Sequence, residues 1–214
     1  MQKSNIIESL EWRYATKKFD AEKKVSEEDL NEILESGRLA PSSFGLQPWK
    51  FIVITDKKLR EQLKAVSWNQ PQITDASHLI VLAVKTNFGE KEVDEFVEST
   101  ADVRKVPVES LKNMRDMLLN SIKAKSQKGE NAVLDWEAHQ VYIASGFMME
   151  TAALKRIDSC PMEGFDAMKY DEILNLKEQN LHAVSLLPIG YRKDDAYAEK
   201  AKVRFDAKDV IIRK

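Results

Sequence analysis

Apolar positions along the chain follow three different spacings, and each spacing predicts an element. Ile6, Ile7 and Leu10, with Trp12 just beyond, mark one face of a helix expected to close within Arg13-Tyr14-Ala15-Thr16-Lys17-Lys18-Phe19. A second helix is predicted after Ser26. Its hydroxyl can cap the first turn, Asp29 follows three residues on, that turn is acidic, and Leu30, Ile33 and Leu34 share a face. Pro41-Ser42-Ser43-Phe44-Gly45-Leu46-Gln47-Pro48 is turn chemistry, and Trp49 to Thr55 after it alternates and branches like a strand. A helix from Lys57 to about Val66 comes next. His78 to Val84 is almost continuously apolar, which suits a strand covered on both faces. Gly89 to Gln127 is charged and helical, with little to fix its tertiary position.

The stretch Trp136 to Ile157 is apolar on nearly every side, through Val141, Tyr142, Ile143, Ala144, Phe147, Met148, Met149, Ala152, Ala153 and Leu154. A helix of that kind has to be buried. It is either the central core element or part of an interface between two chains, where Ala144, Ser145 and Gly146 let backbones approach. Asp158 to Met162 and His182 to Ile189 read as further strands, and Val210 to Ile212 as a β-branched tail. Helices and strands alternate without a strict βαβ period, and no repeat or low-complexity linker interrupts them. The expectation is one α+β domain over residues 1–214.

Composition narrows the function classes. In 214 residues, 43% hydrophobic, a single core is readily built. Thirty-three Lys plus Arg nearly balance 35 Asp plus Glu, and the net charge of −2 gives no footprint for nucleic acid. The longest apolar runs, Leu79 to Val84 and Val184 to Gly190, are too short to span a bilayer. Met1-Gln2-Lys3-Ser4-Asn5 runs straight into the first amphipathic pattern, so no membrane association and no export are expected. The single cysteine, Cys160, suits a reducing compartment, and the cytoplasm is the expected location.

Candidate chemistry is sparse when the residues are taken one at a time. His78, His139 and His182 are isolated, and no Cys-x-x-Cys or His-Glu-x-x-His occurs, so no metal site is expected. Glycine-rich phosphate loops are absent as well. Cys160, between two apolar segments, reads as a small core residue. Arg13 and Lys17, four apart at a helix end, can present a fork and a point charge to a phosphate, or can simply be a solvated face. Lys202 and Arg204 lie two apart in an extended-looking stretch that would aim both the same way. Ser42 and Ser43 fit turn hydroxyls, and Asn69 and Gln72 fit a polar turn around Pro71.

In order and spacing, these pieces resemble the FMN-dependent nitroreductase family, specifically its oxygen-insensitive bacterial type. The resemblance rests on Arg13 to Phe19, Pro41 to Trp49, Asp75-Ala76-Ser77-His78, Gln140-Val141-Tyr142, Pro161-Met162-Glu163-Gly164-Phe165 and Lys202-Val203-Arg204, and covers nearly the whole chain. It implies a nitroreductase-like fold: a central mixed sheet flanked by helices, in a homodimer that exchanges C-terminal extensions across a helical interface. FMN would be bound, with NADH or NADPH as electron donor and a nitroaromatic or quinone as acceptor. A flavin-fragmenting or dehalogenating relative, or a non-catalytic flavin-binding protein, are the alternatives on the same scaffold.

By motif position, the resemblance gives the FMN phosphate to Arg13, Lys202 and Arg204. Lys17 would tune the ring, and Tyr14, Ala15, Ser42 and Pro161 would line the cofactor. Ser43 and Gln47 would come from the partner chain, Asn69 would bond the pyrimidine edge, and main-chain amides near Glu163 and Gly164 would reach the ring. Gln72 stands where many relatives carry a second lysine. Phe44 and Trp68 make the expected substrate face unusually aromatic, and the stretch between Leu111 and Ala124, which usually supplies an aromatic lid, has no clear counterpart.

Overall fold

One strand sets the layering. The computed structural model describes residues 5–214, and in it strand β2 (His78–Lys85) is buried along almost its whole length. Alternate side chains of a strand point to opposite faces. Leu79, Val81 and Ala83 enter one core with Leu63, Tyr170, Leu176 and Leu186. Ile80, Leu82 and Val84 enter a second core with Ile33, Val141, Met148 and Leu187. The continuous apolar run thus reflects a sheet covered on both sides, each fully buried Leu, Ile or Val contributing about 1.5–3 kcal/mol.

The sheet has the order β1-β2-β4-β3, with β1 at Trp49–Ile54, β3 at Asp158–Ser159 and β4 at Leu181–Gly190. Every strand pair is antiparallel: Trp49 faces Val84, His78 faces Ile189 and Asp158 faces Gly190. The parallel component of the expected mixed sheet reduces to one bridge, Ala15 with Ser159. The expected strand from Asp158 to Met162 is two residues long, followed by a bridge from Met162 to Leu186.

Helices α1 (Asn5–Trp12), α2 (Glu27–Arg38) and α7 (Ala132–Leu154) lie on one side, with α3 (Lys57–Ala65), α4 (Gln72–Asp75) and α8 (Ala167–Ile173) on the other. Their starts are chemically fixed. Ser26 Oγ accepts from the Asp29 amide at 3.1 Å, and Asp56 Oδ1 accepts from the Leu59 amide at 2.7 Å. The charged stretch forms a hairpin of α5 (Glu90–Arg104) and α6 (Lys112–Ser126) around Val93, Val97, Leu118 and Ile122. Its tertiary position, which the sequence left open, is set by contact with α7. Among the described residues no helix is long and apolar enough to cross a membrane.

The expected apolar helix begins four residues earlier than its pattern and is covered on one side only. Val141, Ala144, Met148 and Ala152 face the core, whereas Tyr142, Ile143 and Phe147 remain exposed. The core reading of the sequence therefore holds for one face of this helix, and the other face is left uncovered in the single chain. The C-terminal tail makes one helical turn, α9 (Ala207–Val210), then an extended end with Ile211 and Ile212 exposed. Residues 1–4, read above as running into the first helix, lie outside the described residues.

The α2–α7 crossing is close enough to be tested. A Cβ added at Gly37 would lie 2.9 Å from Met148 Cγ, and Met148 is fully buried. Overpacking costs about 1–3 kcal/mol, more than the roughly 1 kcal/mol of helix propensity gained by replacing glycine. Gly37→Ala should therefore lower the urea midpoint at unchanged m value. An equal or higher midpoint would mean that Met148 swings aside freely.

Candidate functional site

Residues that follow α1 do not continue it. The chain leaves the helix at Trp12 and runs along the sheet edge, where Ala15 bridges Ser159, the Asp20 amide donates to Tyr191 O at 2.7 Å, and Phe19 bridges Arg192. Arg13 and Lys17 thus lie outside the helix, and their four-residue spacing is not what places them. Two buried carboxylates hold the segment down. Asp195 accepts from Tyr14 Oη at 2.9 Å and from the Lys17, Lys18 and Tyr197 amides at 2.6, 3.1 and 3.0 Å. Asp158 accepts from Thr16 Oγ1 at 3.1 Å and from Arg192 Nε at 2.7 Å, while the Arg192 guanidinium stacks on Trp12 and Tyr14.

The C-terminal segment returns to the same place. Lys202 Nζ donates to the carbonyls of Leu10 at 2.7 Å, Glu11 at 2.9 Å and Arg13. These are the exposed carbonyls at the end of α1, which carry the negative end of the helix dipole. An ammonium has three donors, so Lys202 is committed to the backbone. Arg13 and Arg204 are then left beside it: burial first, and then the Arg204 charge, lowers the Arg13 proton affinity, and burial, Arg13 and Arg204 lower that of Lys202. Arg13 Nε is buried without a hydrogen-bond partner among the described residues. Arg204 donates one guanidinium N–H to Val203 O at 2.7 Å.

Next along the edge come Lys17, Cys160 and Gln72. Lys17 forms no ion pair among the described residues, and its charge is felt at the Cys160 thiol, whose pKa burial nevertheless raises. Gln72 lowers that thiol's pKa and is only 4% exposed, with Oε1 lacking a partner among the described residues. It is therefore packed beneath the surface and does not line it. Pro161 follows Cys160, and the amides of Glu163 and Gly164 donate to no acceptor among the described residues. Gln70 Nε2 donates to Gly164 O at 2.8 Å, and the Trp68 ring lies so close to Gly164 that a Cβ there would fall 2.9 Å from Trp68 Cε3. Trp68 and Asn69 both have left-handed backbones, and Trp68 is 73% exposed. Arg13, Lys17, Glu163, Gly164 and Asn69 thus follow one another along one strip, with Gln72 beneath it.

Ser42, Ser43, Phe44 and Gln47 do not join it. Ser42 Oγ accepts from the Gln47 amide at 3.0 Å, Gln47 Nε2 donates to Arg38 O at 2.9 Å, and the Ser43 amide donates to Gln140 Oε1 at 2.8 Å. Tyr142, two residues beyond Gln140 on α7, instead donates to Glu163 Oε1 at 2.7 Å. Residues two apart on a helix point to opposite sides. Helix α7 therefore stands between the loop and the strip.

The sequence model of the nitroreductase family matches residues 10–191. The chain belongs to the nitroreductase family. A protein of Staphylococcus haemolyticus provisionally named as a NAD(P)H nitroreductase is 42% identical over 213 residues, covering 96% of this chain and 95% of its own. The structure of a Bacillus subtilis protein described provisionally as a nitroreductase superposes with a TM-score of 0.84 at 22% identity, over 97% of this chain and 98% of that one. A family structure from Exiguobacterium sibiricum, solved in complex with FMN, gives a TM-score of 0.78 at 24% identity over 100% and 99% of the two chains. The nitroreductase-like α+β fold expected from the motifs is the fold observed.

Asp195, Asp158 and Arg192 escaped the sequence reading. Asp195 meets its partners across 178 and 181 positions, and no local spacing announces such a contact. Burial pushes its carboxyl up, but the bonds from Lys17, Tyr197, Tyr14 and Lys18 outweigh that and hold it below the ordinary carboxylate value. A carboxyl whose folded value is depressed stabilises above the unfolded pKa of about 3.9, and that contribution is lost as pH falls through the folded value. Asp195→Asn should cost about 2–3 kcal/mol at pH 7, with the gap from the parent closing as pH drops below 4. Urea titrations across pH 3–7 check this, and a pH-independent gap contradicts it.

Proposed function

We propose that the chain is an NAD(P)H-dependent flavin oxidoreductase that binds FMN along the sheet-edge strip and reduces nitroaromatics or quinones. The observation that carries this reading is the trio Arg13, Lys202 and Arg204, which lie close enough that burial and their mutual repulsion outweigh Asp158 and Glu11 in lowering the proton affinity of Arg13 and Lys202, while Arg13 Nε stays unpartnered among the described residues. Like charges gathered in this way fit an anion of more than one charge, such as a phosphate monoester. The amides of Glu163 and Gly164 farther along the strip, which donate to no acceptor among the described residues, fit the polar edge of a flavin ring.

When bound, FMN supplies the redox chemistry, relaying a hydride from NADH or NADPH to the acceptor in two alternating half-reactions. Arg13 and Arg204 donate to the phosphate, and Lys202 adds charge while fastening the C-terminal segment to α1. Lys17, which forms no ion pair among the described residues, would offer its ammonium where two-electron reduction places negative charge. Tyr14, Ala15 and Pro161 shape the wall, Asn69 meets the pyrimidine edge, and Gln72 acts from beneath through its dipole. Phe44 and Trp68 form the aromatic face for the acceptor.

Ser42, Ser43, Phe44 and Gln47 belong to the site of a second copy. The separation of their loop from the strip by α7 supports this, as do the exposed Ile6, Ile7 and Leu10 of α1, Ile143 and Phe147 of α7, and Val203 and Phe205 of the tail. Such apolar surface is suited to an obligate homodimer that exchanges its C-terminal segments.

The purified protein should be yellow, release FMN on heating, bleach anaerobically with NADH or NADPH, and regain colour on adding menadione or nitrofurazone. A preparation that takes up FMN and does not bleach with either nucleotide contradicts the assignment. Gln72→Lys should raise the two-electron midpoint potential, by about 30 mV for each 1.4 kcal/mol of added preference for the reduced form. It should also lower thermal stability, because the new ammonium is buried near Lys17 and Arg13. Spectroelectrochemistry showing no upward shift would refute this role for position 72.

A further inference from the structure

The loop that carries Phe44 is held in a costly conformation. Phe44, Gly45 and Gln47 have φ values of 59°, 77° and 45°, and a side chain in that region costs on the order of 1–3 kcal/mol, sustained only where the surroundings enforce it. What enforces it here is Ser43 bonded to Gln140, the Ser42 hydroxyl bonded to the Gln47 amide, and Gln47 bonded to Arg38. The result is a phenyl ring presented 47% exposed on a rigid support.

A cation stands over that ring. Lys125, in the last turn of α6, places Nζ 5.9 Å from the Phe44 ring centroid and 5.1 Å from that of Trp136, and donates to Ser121 Oγ at 2.9 Å. Lys125 is half-buried and forms no ion pair among the described residues. Two ring faces and a hydroxyl orient the ammonium and leave its charge unneutralised. A half-exposed phenyl ring with a positioned cation, unpaired among the described residues, over one face is complementary to a planar ring bearing a negative substituent: the free part of the ring offers stacking, the ammonium a charge-assisted hydrogen bond.

We propose that Lys125 is a specificity-determining residue and that, with Phe44, it forms a subsite for planar aromatic ligands carrying an anionic group. The inference rests on the oxidoreductase reading above and deepens it by naming the ligand class. Two ligands share the chemistry, a carboxylated or sulfonated acceptor and the nicotinamide nucleotide itself. The subsite moves with the Phe44 loop and therefore serves the second copy's strip.

The test uses the FMN-loaded enzyme and compares 4-nitrobenzoate with its neutral methyl ester in the parent and in Lys125→Gln and Lys125→Arg. Because the ester is intrinsically easier to reduce, the readout is the change in the ratio of kcat/KM values between proteins. Lys125→Gln should lower kcat/KM for 4-nitrobenzoate about fivefold, as expected for one partly screened charge pair, and leave the ester within about twofold. Lys125→Arg should restore the ratio, and added salt should shrink it in the parent. In the second arm kcat/KM for NADPH is measured with menadione as a neutral acceptor. A loss confined to this arm assigns the same subsite to the nucleotide. Equal effects on acid and ester with no effect on the nucleotide, or no effect anywhere, overturn the proposal. Failure of the parent to reduce even the ester is a different result and counts against the oxidoreductase reading.

Discussion

Arg13, Lys202 and Arg204 repel one another, and the fold nevertheless holds them together. Part of the compensation is local: Lys202 sits on the carbonyls that α1 leaves exposed at its end. The rest is supplied at a distance by Asp195 and Asp158, which pin the segment between α1 and α2 to the sheet edge through Tyr14, Lys17, Lys18 and Thr16. Asp158 and Glu11 offset part of the charge at Arg13 and Lys202, and burial with mutual repulsion still outweighs them. The chain thus preserves an excess of positive charge at one spot, a costly arrangement in an otherwise nearly neutral protein unless an anion is part of the working state.

That spot lies where the sheet runs out. The two central strands are buried on both faces and leave no room for a ligand, whereas β3 is two residues long and gives way at once to Cys160 and Pro161. The shortness of β3 leaves the Glu163 and Gly164 amides outside any ladder and lets the Ala15 segment close the edge with one parallel bridge. Helix α7 completes the geometry by dividing the candidate residues into a strip and a loop. The proposed site takes its strip from one chain, and the proposed second copy would supply the loop that α7 holds apart.

Much of this could be read from the chain because it depends on local chemistry. The Ser26 cap, the alternation of β1 and the apolar run of β2 each rest on a period or a capping residue, and each appears where the pattern placed it. The strand after Asp158 is shorter than its pattern because Pro161, which has no N–H, interrupts the ladder: the Cys160 amide still donates to Pro188 O at 3.1 Å and Met162 exchanges bonds with Leu186 beyond it. Helix α7 could not be assigned to core or interface, since an all-round apolar pattern is compatible with both; in the single chain one face is core and the other is exposed. The cationic trio was visible only through motif order. The carboxylates that position it, and the buried setting of Gln72, come from contacts between distant segments and leave no mark on spacing.

The central claim is that the trio exists to hold a phosphate, and the phosphate is the only chemical difference between FMN and riboflavin. The direct measurement is a fluorescence titration of the flavin-free protein and its Arg13→Ala variant with both flavins over a range of salt concentrations. The account predicts that the parent binds FMN far more tightly than riboflavin, with an advantage that falls as salt rises, and that Arg13→Ala loses most of that advantage while its riboflavin affinity stays close to the parent's. Equal affinity of the parent for the two flavins, or a variant that weakens both alike, would contradict it.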